Sequence, residues 1–210
     1  MENLLDGYRR FRAESWPRER ARFEALAERG QKPRAMVIAC SDSRVDPQMI
    51  FGAAPGELFV VRNVANLVPA YAPDAAYHGT SAALEFAVRV LRVSEVVVLG
   101  HALCGGITAL LDGPPTVAAD FVRPWMAIAE PARRRVLACE AASPEERQEM
   151  CEHAAVEVSL ANLLTFPWLR ERVEDGSLRL HGMHFGVATG TLARLEAGRF
   201  VPVAAAAEGG

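Results

Sequence analysis

Short, unbroken apolar runs are the feature that most restricts how this 210-residue chain can fold. Each run is closed by polar or small residues, which is typical of strands buried on both faces of a parallel sheet. Helical segments separate the runs, and this alternation predicts an α/β fold around a mostly parallel sheet. The runs are Ala35–Cys40, Leu58–Val61, Glu95–Gly100 and the shorter Leu178–Leu180.

The segments between the runs carry helix signals of their own. Leu84 and Val88 lie at helical spacing, and Thr80 or Ser81 before them is suited to cap that helix. The residues Ser143–Glu146 form a capping box with Pro at the first helical position. Both patterns predict helices that cover the sheet.

The chain length fits one domain, residues 1–210, with an N-terminal helical arm over 1–30 and a core over 31–210. Apolar side chains are spread through the first 30 residues among Arg and Glu. Such an arm needs a surface to pack on, which is either the domain itself or a partner subunit.

Charge and composition exclude several classes of partner. The formal net charge is -3, so neither a nucleic acid nor an anionic membrane is expected as a partner, because both favour basic surfaces. No apolar run approaches the roughly 20 residues that span a bilayer, and the first residues do not resemble a secretory signal. The four cysteines are better explained as thiols or metal ligands than as a disulfide framework, so we expect a cytoplasmic protein.

Polar residues follow two of the predicted strands. The first strand ends in Cys40-Ser-Asp42-Ser-Arg44, and the third is followed by His101 and Cys104. Ligands of open parallel sheets bind beyond the carboxyl ends of the strands. We therefore expect these five side chains at one edge of the sheet.

Two thiolates and an imidazole are the donor set that zinc prefers. Three protein ligands leave one tetrahedral position free, which indicates a catalytic rather than a structural site. Asp42 can occupy that fourth position, or it can pair with Arg44 and leave the position to water. Gly105 follows at a helix start, where bare amides can approach an anion. The alternative is that Cys40 and Cys104 are small buried core residues.

These residues resemble the signature of the β-class carbonic anhydrases. The likeness includes Cys40–Arg44 and His101-x-x-Cys104, and it continues in Gly56–Asn66, Leu160–Pro167 and Leu180–Gly182. It covers about Gln31 to Leu192, and Phe59-Val-Val-Arg-Asn63 is similar to the plant-type subgroup. The resemblance implies a sheet of four parallel strands, plus a possible short edge strand, flanked by helices.

The resemblance also implies roles for individual residues. One Zn²⁺ per chain would be held by Cys40, His101 and Cys104, with Asp42 as an exchangeable fourth ligand. Asp42 and Arg44 would form the catalytic dyad. The implied substrate-binding residues are Gln31, which would reach bicarbonate across a dimer interface, the apolar Phe59 and Val64, Phe86 at a position where many members have Tyr, and Gly105.

The implied activity is the reversible hydration of carbon dioxide to bicarbonate and a proton by zinc-bound hydroxide. The enzyme would be a carbonic anhydrase, a lyase, working as a homodimer or a multiple of dimers. His78, His181 and His184 are candidate proton shuttles. The alternatives are a carbon disulfide or carbonyl sulfide hydrolase on the same scaffold, a non-catalytic zinc protein and, least favoured, an iron–sulfur protein.

Overall fold

A computed structural model describes residues 1–74, 76–113, 119–141 and 143–204. Its strands are β1 Ala35–Cys40, β2 Leu58–Asn63, β3 Glu95–His101, β4 Arg179–Phe185, β5 Leu192–Glu196 and β6 Arg199–Pro202. Within the described residues they form one six-stranded sheet in the order β2-β1-β3-β4-β5-β6. Strands β1 to β4 are mutually parallel, whereas β5 and β6 are antiparallel to their neighbours.

The predicted α/β class and its four parallel strands are confirmed, but the edge of the sheet is larger than expected. It consists of two antiparallel strands instead of one short strand. Ala197 and Gly198 join them with φ of 46° and 80°, the backbone of a tight two-residue hairpin turn. Strands β5 and β6 are half-exposed and contain charged residues. They therefore lack the continuous apolar runs from which the four parallel strands are predicted.

Nine helices surround the sheet in the described part of the chain. They are α1 Glu2–Arg10, α2 Trp16–Arg29, α3 Pro47–Ile50, α4 Gly79–Glu85, α5 Gly105–Asp112, α6 Val122–Met126, α7 Glu130–Leu137, α8 Pro144–Leu163 and α9 Pro167–Glu174. A π-helical turn, Phe11–Ser15, joins α1 to α2, and a second one, Phe86–Val90, continues α4. None of the helices in the described residues is long and apolar enough to cross a membrane.

The predicted caps have different outcomes. The Ser143 hydroxyl accepts a hydrogen bond from the Glu146 amide at 3.1 Å, which confirms the cap of α8. The prediction of a Thr80 or Ser81 cap for α4 was wrong, because that helix already begins at Gly79 and has no side-chain cap.

The long helix α8 forms the main layer on one face of the sheet. Its Val156 and Leu163 are fully buried against Ile38 of β1 and Val98 of β3. A Cβ atom at Gly100 would lie 2.7 Å from Val156 Cγ2, so glycine is what allows this close approach of helix and strand. The close approach also brings the beginning of α8 next to the end of β3.

The N-terminal arm is helical as predicted, and its first helix has little contact with the rest of the chain. None of the residues of α1 is buried, and the side chains of Leu4 and Tyr8 are 74% and 60% exposed. Among the described residues, the second half of α2 contacts the loop before β2, where Leu26 packs against Gly56 and Arg22 pairs with Glu57 at 3.4 Å. The apolar side of α1 is therefore left exposed by the described part of its own domain.

Candidate metal centre

The register of the sheet places the ends of β1 and β3 side by side. Ala39 is aligned with Leu99, so Cys40 and the residues that follow Gly100 leave the sheet at the same edge. Cys40, His101 and Cys104 meet there, with relative exposures of 6%, 1% and 1%. Their sulfur and nitrogen donor atoms all lie within 4.8 Å of one another. A tetrahedral zinc ion would hold such donors about 3.5–3.8 Å apart, so only small side-chain adjustments are needed to bind it.

The orientation of His101 is the clearest sign of a metal site. Its Nδ1 donates a hydrogen bond to the carbonyl oxygen of Ala102 at 2.9 Å. Its Nε2 is buried and has no hydrogen-bond partner among the described residues. A buried nitrogen without a partner is costly, and a metal ion would satisfy it. The donor set and this free nitrogen both fit a zinc ion.

The two thiols of the site are electrostatically linked. A hydrogen bond from Cys104 lowers the pKa of Cys40 below its usual value, although burial opposes this effect. The hydrogen bond with Cys40 raises the pKa of Cys104 above its usual value, and burial of the Cys104 thiol adds to the increase. Burial alone would lower the pKa of His101, but the neighbouring Cys40 thiolate raises it. Two thiolates would neutralise a divalent cation, so the site suits Zn²⁺ in charge as well.

A tight turn closes the site on the side of β2. Ala65 and Asn66 have φ of 63° and 50°, in the left-handed region, and Asn63 brackets the turn by two 2.9 Å hydrogen bonds to the backbone of Leu67. The Ala65 backbone hydrogen-bonds Cys40 and is one of the contributions that lower its pKa. Val64, in the same turn, is 38% exposed and presents an apolar surface beside the site.

Asp42 and Arg44 form a bidentate ion pair next to the thiols. Arg44 Nε donates to Asp42 Oδ1 at 2.9 Å, and Arg44 Nη2 donates to Asp42 Oδ2 at 2.7 Å. The Arg44 side chain, and then its backbone amide, hold the pKa of Asp42 well below its usual range. Arg44 Nη2 also donates to the Leu103 carbonyl oxygen at 3.0 Å, which links the dyad to the loop that carries Cys104.

Arg62, on β2, holds the loop that follows β1 in place. It donates to the carbonyl oxygens of Cys40, Asp42 and Val45 at 2.9, 2.6 and 3.1 Å. Three carbonyls on one guanidinium order the whole segment that carries the first thiol and the dyad. No local pattern in the sequence points to this role of Arg62, since the contacts join residues 17 to 22 positions apart.

The structure brings some of the expected substrate-binding residues to the site, but not all. Gly105 begins α5 directly after Cys104, and Val64 lies in the adjoining turn. Phe59 is aligned with Met36, four strand positions before Cys40, or about 13 Å at roughly 3.3 Å per residue. Gln31 is exposed before the opposite end of β1, and Phe86 stacks on Phe59 with ring centroids 5.9 Å apart. Gln31, Phe59 and Phe86 are therefore distant from the metal ligands of their own chain.

One buried carboxylate near the site was missed. Glu152 is 3% exposed, and its Oε1 accepts hydrogen bonds from the Cys104 amide and from Gln148 Nε2, both at 3.0 Å. Its Oε2 lies 3.1 Å from His184 Nε2. The available signal was its position four residues before Val156, on the same face of a predicted helix.

The three candidate proton shuttles lie in different environments. His184 is buried against Glu152, next to the end of β3. His181 pairs with Glu95 at the opposite end of that strand, and His78 pairs with Asp74 at the surface. None of these contacts connects a histidine directly to the metal ligands.

Comparison with known proteins identifies the family. Residues 35–192 match the family model described as carbonic anhydrase. The chain is also 38% identical over 196 residues to β carbonic anhydrase 3 of Arabidopsis thaliana, which covers 91% of this chain and 75% of that protein. The chain belongs to the β-class carbonic anhydrases. Members of this family are lyases, so this carbonic anhydrase is an enzyme.

Further relatives of this β-class carbonic anhydrase agree over nearly the full length. A carbonic anhydrase of Pseudomonas aeruginosa is 40% identical over 211 residues, covering 97% of this chain and 92% of that protein. The solved structure of the β-carbonic anhydrase CcaA superposes with a TM-score of 0.89 at 34% identity, covering 97% and 99% of the two chains. A tetrameric β-carbonic anhydrase of Sordaria macrospora has a TM-score of 0.80 at 27% identity, covering 97% and 98%.

Proposed function

We propose that this enzyme catalyses the reversible hydration of carbon dioxide to bicarbonate and a proton, with one zinc ion per chain held by Cys40, His101 and Cys104. The observation that carries the proposal is the meeting of these three buried donors beside the bidentate Asp42–Arg44 pair. A purely structural zinc site would have no use for a partly exposed ion pair next to it. Membership of the carbonic anhydrase family supports the same reaction.

The ligands are arranged to hold the metal with little rearrangement. His101 offers its unpartnered Nε2, while its Nδ1 is fixed by the Ala102 carbonyl. On metal binding, Cys40 and Cys104 would both lose their protons and supply two negative charges. A zinc ion bound to such a set lowers the pKa of a water molecule that it binds, which provides a nucleophile near neutral pH.

Asp42 orients the attacking water in this proposal. Since the low pKa of Asp42 keeps its carboxylate ionised, it can only accept hydrogen bonds and so fixes which way a neighbouring hydroxyl group points. Arg44 occupies both carboxylate oxygens and so holds Asp42 away from the metal. Asp42 remains the proposed exchangeable fourth ligand whenever that pair opens. Arg62 keeps the loop in place while the pair forms or breaks.

The apolar surface around the site suits carbon dioxide, which offers little to hydrogen-bond. Val64 is held in position by Trp125, whose Nε1 donates to the Val64 carbonyl oxygen at 2.7 Å. Gly105 is the first residue of α5. The backbone N–H groups at this end of the helix can donate hydrogen bonds to the negatively charged bicarbonate.

A second copy of the chain would complete the pocket. Gln31, Phe59 and Phe86 are distant from the ligands of their own chain, and Phe86 is 44% exposed although it is apolar. We infer that a partner subunit supplies these three residues, in a homodimer or a multiple of dimers. The exposed apolar side chains of α1 and the tetrameric relative of Sordaria macrospora support this inference.

Two finer assignments remain proposals. The plant-type subgroup is supported by the Phe59–Asn63 pattern and by the Arabidopsis relative. A cytoplasmic location is supported by the free state of all four cysteines.

The test is stopped-flow measurement of carbon dioxide hydration on protein whose zinc content has been quantified. We expect rapid turnover with about one zinc per chain and a rate that rises with pH through a single ionisation. Asp42→Ala should abolish turnover and leave the zinc content nearly unchanged, whereas Asp112→Ala, at the far end of α5, should change neither turnover nor zinc content. Full zinc occupancy without turnover at any pH would refute the proposed reaction, and carbon disulfide would then be tested as substrate.

A further inference from the structure

The peptide group between Leu103 and Cys104 is held at both of its polar atoms. On one side, Arg44 Nη2 donates to the Leu103 carbonyl oxygen at 3.0 Å. On the other side, the Cys104 amide donates to Glu152 Oε1 at 3.0 Å. A peptide group is planar and rigid, so the carbonyl and the amide can rotate only together. Arg44 and Glu152 therefore act on the same rigid unit from opposite directions.

The backbone at this position does not adopt its conformation by itself. Leu103 has a φ of 59°, in the left-handed region that residues with a Cβ atom avoid. Its side chain is 57% exposed, so burial of the leucine does not compensate for the unfavourable backbone. The two hydrogen bonds on the following peptide are the contacts that stabilise this geometry.

Glu152 is itself rigidly held. It lies on α8, which Gly100 allows to approach β3 closely. One carboxylate oxygen accepts from both Cys104 and Gln148, and the other contacts His184 of β4. The carboxylate therefore has partners from α8, from the metal-ligand loop and from the sheet, and it cannot move without breaking several contacts.

We propose that Glu152 is a positioning residue that acts through the Leu103–Cys104 peptide. By fixing that peptide, it directs the Cys104 sulfur toward the metal and holds the carbonyl oxygen that anchors Arg44. Glu152 thereby sets the geometry of the thiol ligand and of the Asp42–Arg44 pair at once. The consequence for turnover rests on the proposed function of that pair, whereas the consequence for metal binding does not.

Three substitutions separate the reach of the side chain from its charge. Glu152→Gln keeps an acceptor oxygen at the same distance and removes the charge. Glu152→Asp keeps the charge but withdraws the carboxylate by about 1.5 Å, one carbon–carbon bond. Glu152→Met keeps the length and offers no acceptor. Glu149→Gln, an exposed position on the same helix, is the matched control.

The first measurement is the rate at which zinc passes from each loaded variant to a chromogenic chelator. Loss of a partner that orients a metal ligand typically costs about 10–100-fold in metal affinity or activity. We expect zinc release to be at least tenfold faster in Glu152→Asp and Glu152→Met, and within about threefold of the unsubstituted protein in Glu152→Gln. Zinc release from Glu152→Asp at the unsubstituted rate would overturn the proposal. If Glu152→Met fails to fold, the comparison of zinc release between Glu152→Asp and Glu152→Gln is sufficient to test the proposal.

The second measurement is a double-mutant cycle with Arg44→Lys, read in kcat and KM separately. If Glu152 and Arg44 act on the same peptide group, their effects on kcat should not multiply. The double variant should have a kcat less than about threefold below that of the more impaired single variant. Multiplicative losses would show that Glu152 is an independent structural residue and would refute the coupling. If zinc-loaded protein does not hydrate carbon dioxide, the proposed reaction fails, but the zinc-release series still tests the positioning role.

Discussion

Gly106 is expected to be the most sensitive small residue of the site. A Cβ atom at this position would lie 2.9 Å from Ala65 Cβ and 3.0 Å from Val64 Cγ1. Carbon atoms in contact prefer about 3.5–4.0 Å, so Gly106→Ala requires a separation of roughly 0.5–1 Å between helix and turn. Ala65 cannot yield by rotating a side chain, and its backbone is fixed by the bracket that Asn63 forms around the turn.

Overpacking of this kind typically lowers the free energy of unfolding by about 1–3 kcal/mol. For a chain of this size, each kcal/mol lowers Tm by about 2–4 °C, so Gly106→Ala should lower Tm by roughly 2–12 °C. The same shift draws the Ala65 backbone away from Cys40, so zinc release should also become faster. Thermal unfolding by circular dichroism measures the change in Tm, and transfer of zinc to a chromogenic chelator measures the rate of zinc release.

Gly105→Ala is the matched control for stability, because a Cβ atom there would have no neighbour within 4 Å. Both substitutions change glycine to alanine in the first turn of α5, so the difference between them isolates the contact with the turn. Gly105→Ala should be at least as stable as the unsubstituted protein. Equal stability of the two variants would refute the packing argument.

Three further predictions concern the Asp42–Arg44 pair, the apolar surface at Val64 and the N-terminal arm. Because Arg44 lowers the pKa of Asp42, ionised Asp42 stabilises the fold above about pH 4 and loses this effect as the pH falls further. Zinc-free Asp42→Asn should therefore lose less stability than the unsubstituted protein between about pH 5 and pH 2 in urea unfolding, and parallel losses would contradict this sign. Trp125→Phe removes the donor to the Val64 carbonyl and should cost about 1 kcal/mol in urea unfolding while raising KM for carbon dioxide. Replacing both Leu4 and Tyr8 by Ser should weaken the proposed dimer at least tenfold in sedimentation velocity and leave the circular dichroism spectrum unchanged, since both side chains are exposed within one chain.

The local arrangement of the metal site follows from the sequence because it depends on short-range rules. The apolar runs that end at Cys40 and at Gly100 predict two buried strands. Neighbouring parallel strands must end at the same edge of a sheet, so the sequence alone predicts that Cys40, His101 and Cys104 lie together. The Asp42–Arg44 pair also lies within three residues, and its bidentate geometry needs no distant element.

The remaining features depend on which side chains of distant segments meet, and the apolar pattern does not determine those contacts. Strands β5 and β6 pair at the sheet edge without an apolar run, because only one side of each needs to be buried. The register of Phe59 with Met36 places it toward the end of β1 opposite Cys40, and the apolar run alone does not determine that register.

Glu152 shows the distinction between local pattern and tertiary contact most clearly. In the sequence it is one of several acidic residues in the first half of α8. Its position four residues before Val156 marks the face of the helix that can be buried, but Glu149, seven residues before Val156, lies on that face as well. Only the packing of α8 on β3 buries one of the two and brings its carboxylate to the Cys104 amide. The sequence thus determined which residue types could bind the metal, because strand ends and ligand chemistry are local properties. The tertiary structure decided what holds those ligands in place, because a buried carboxylate is stable only where the folded chain supplies its partners.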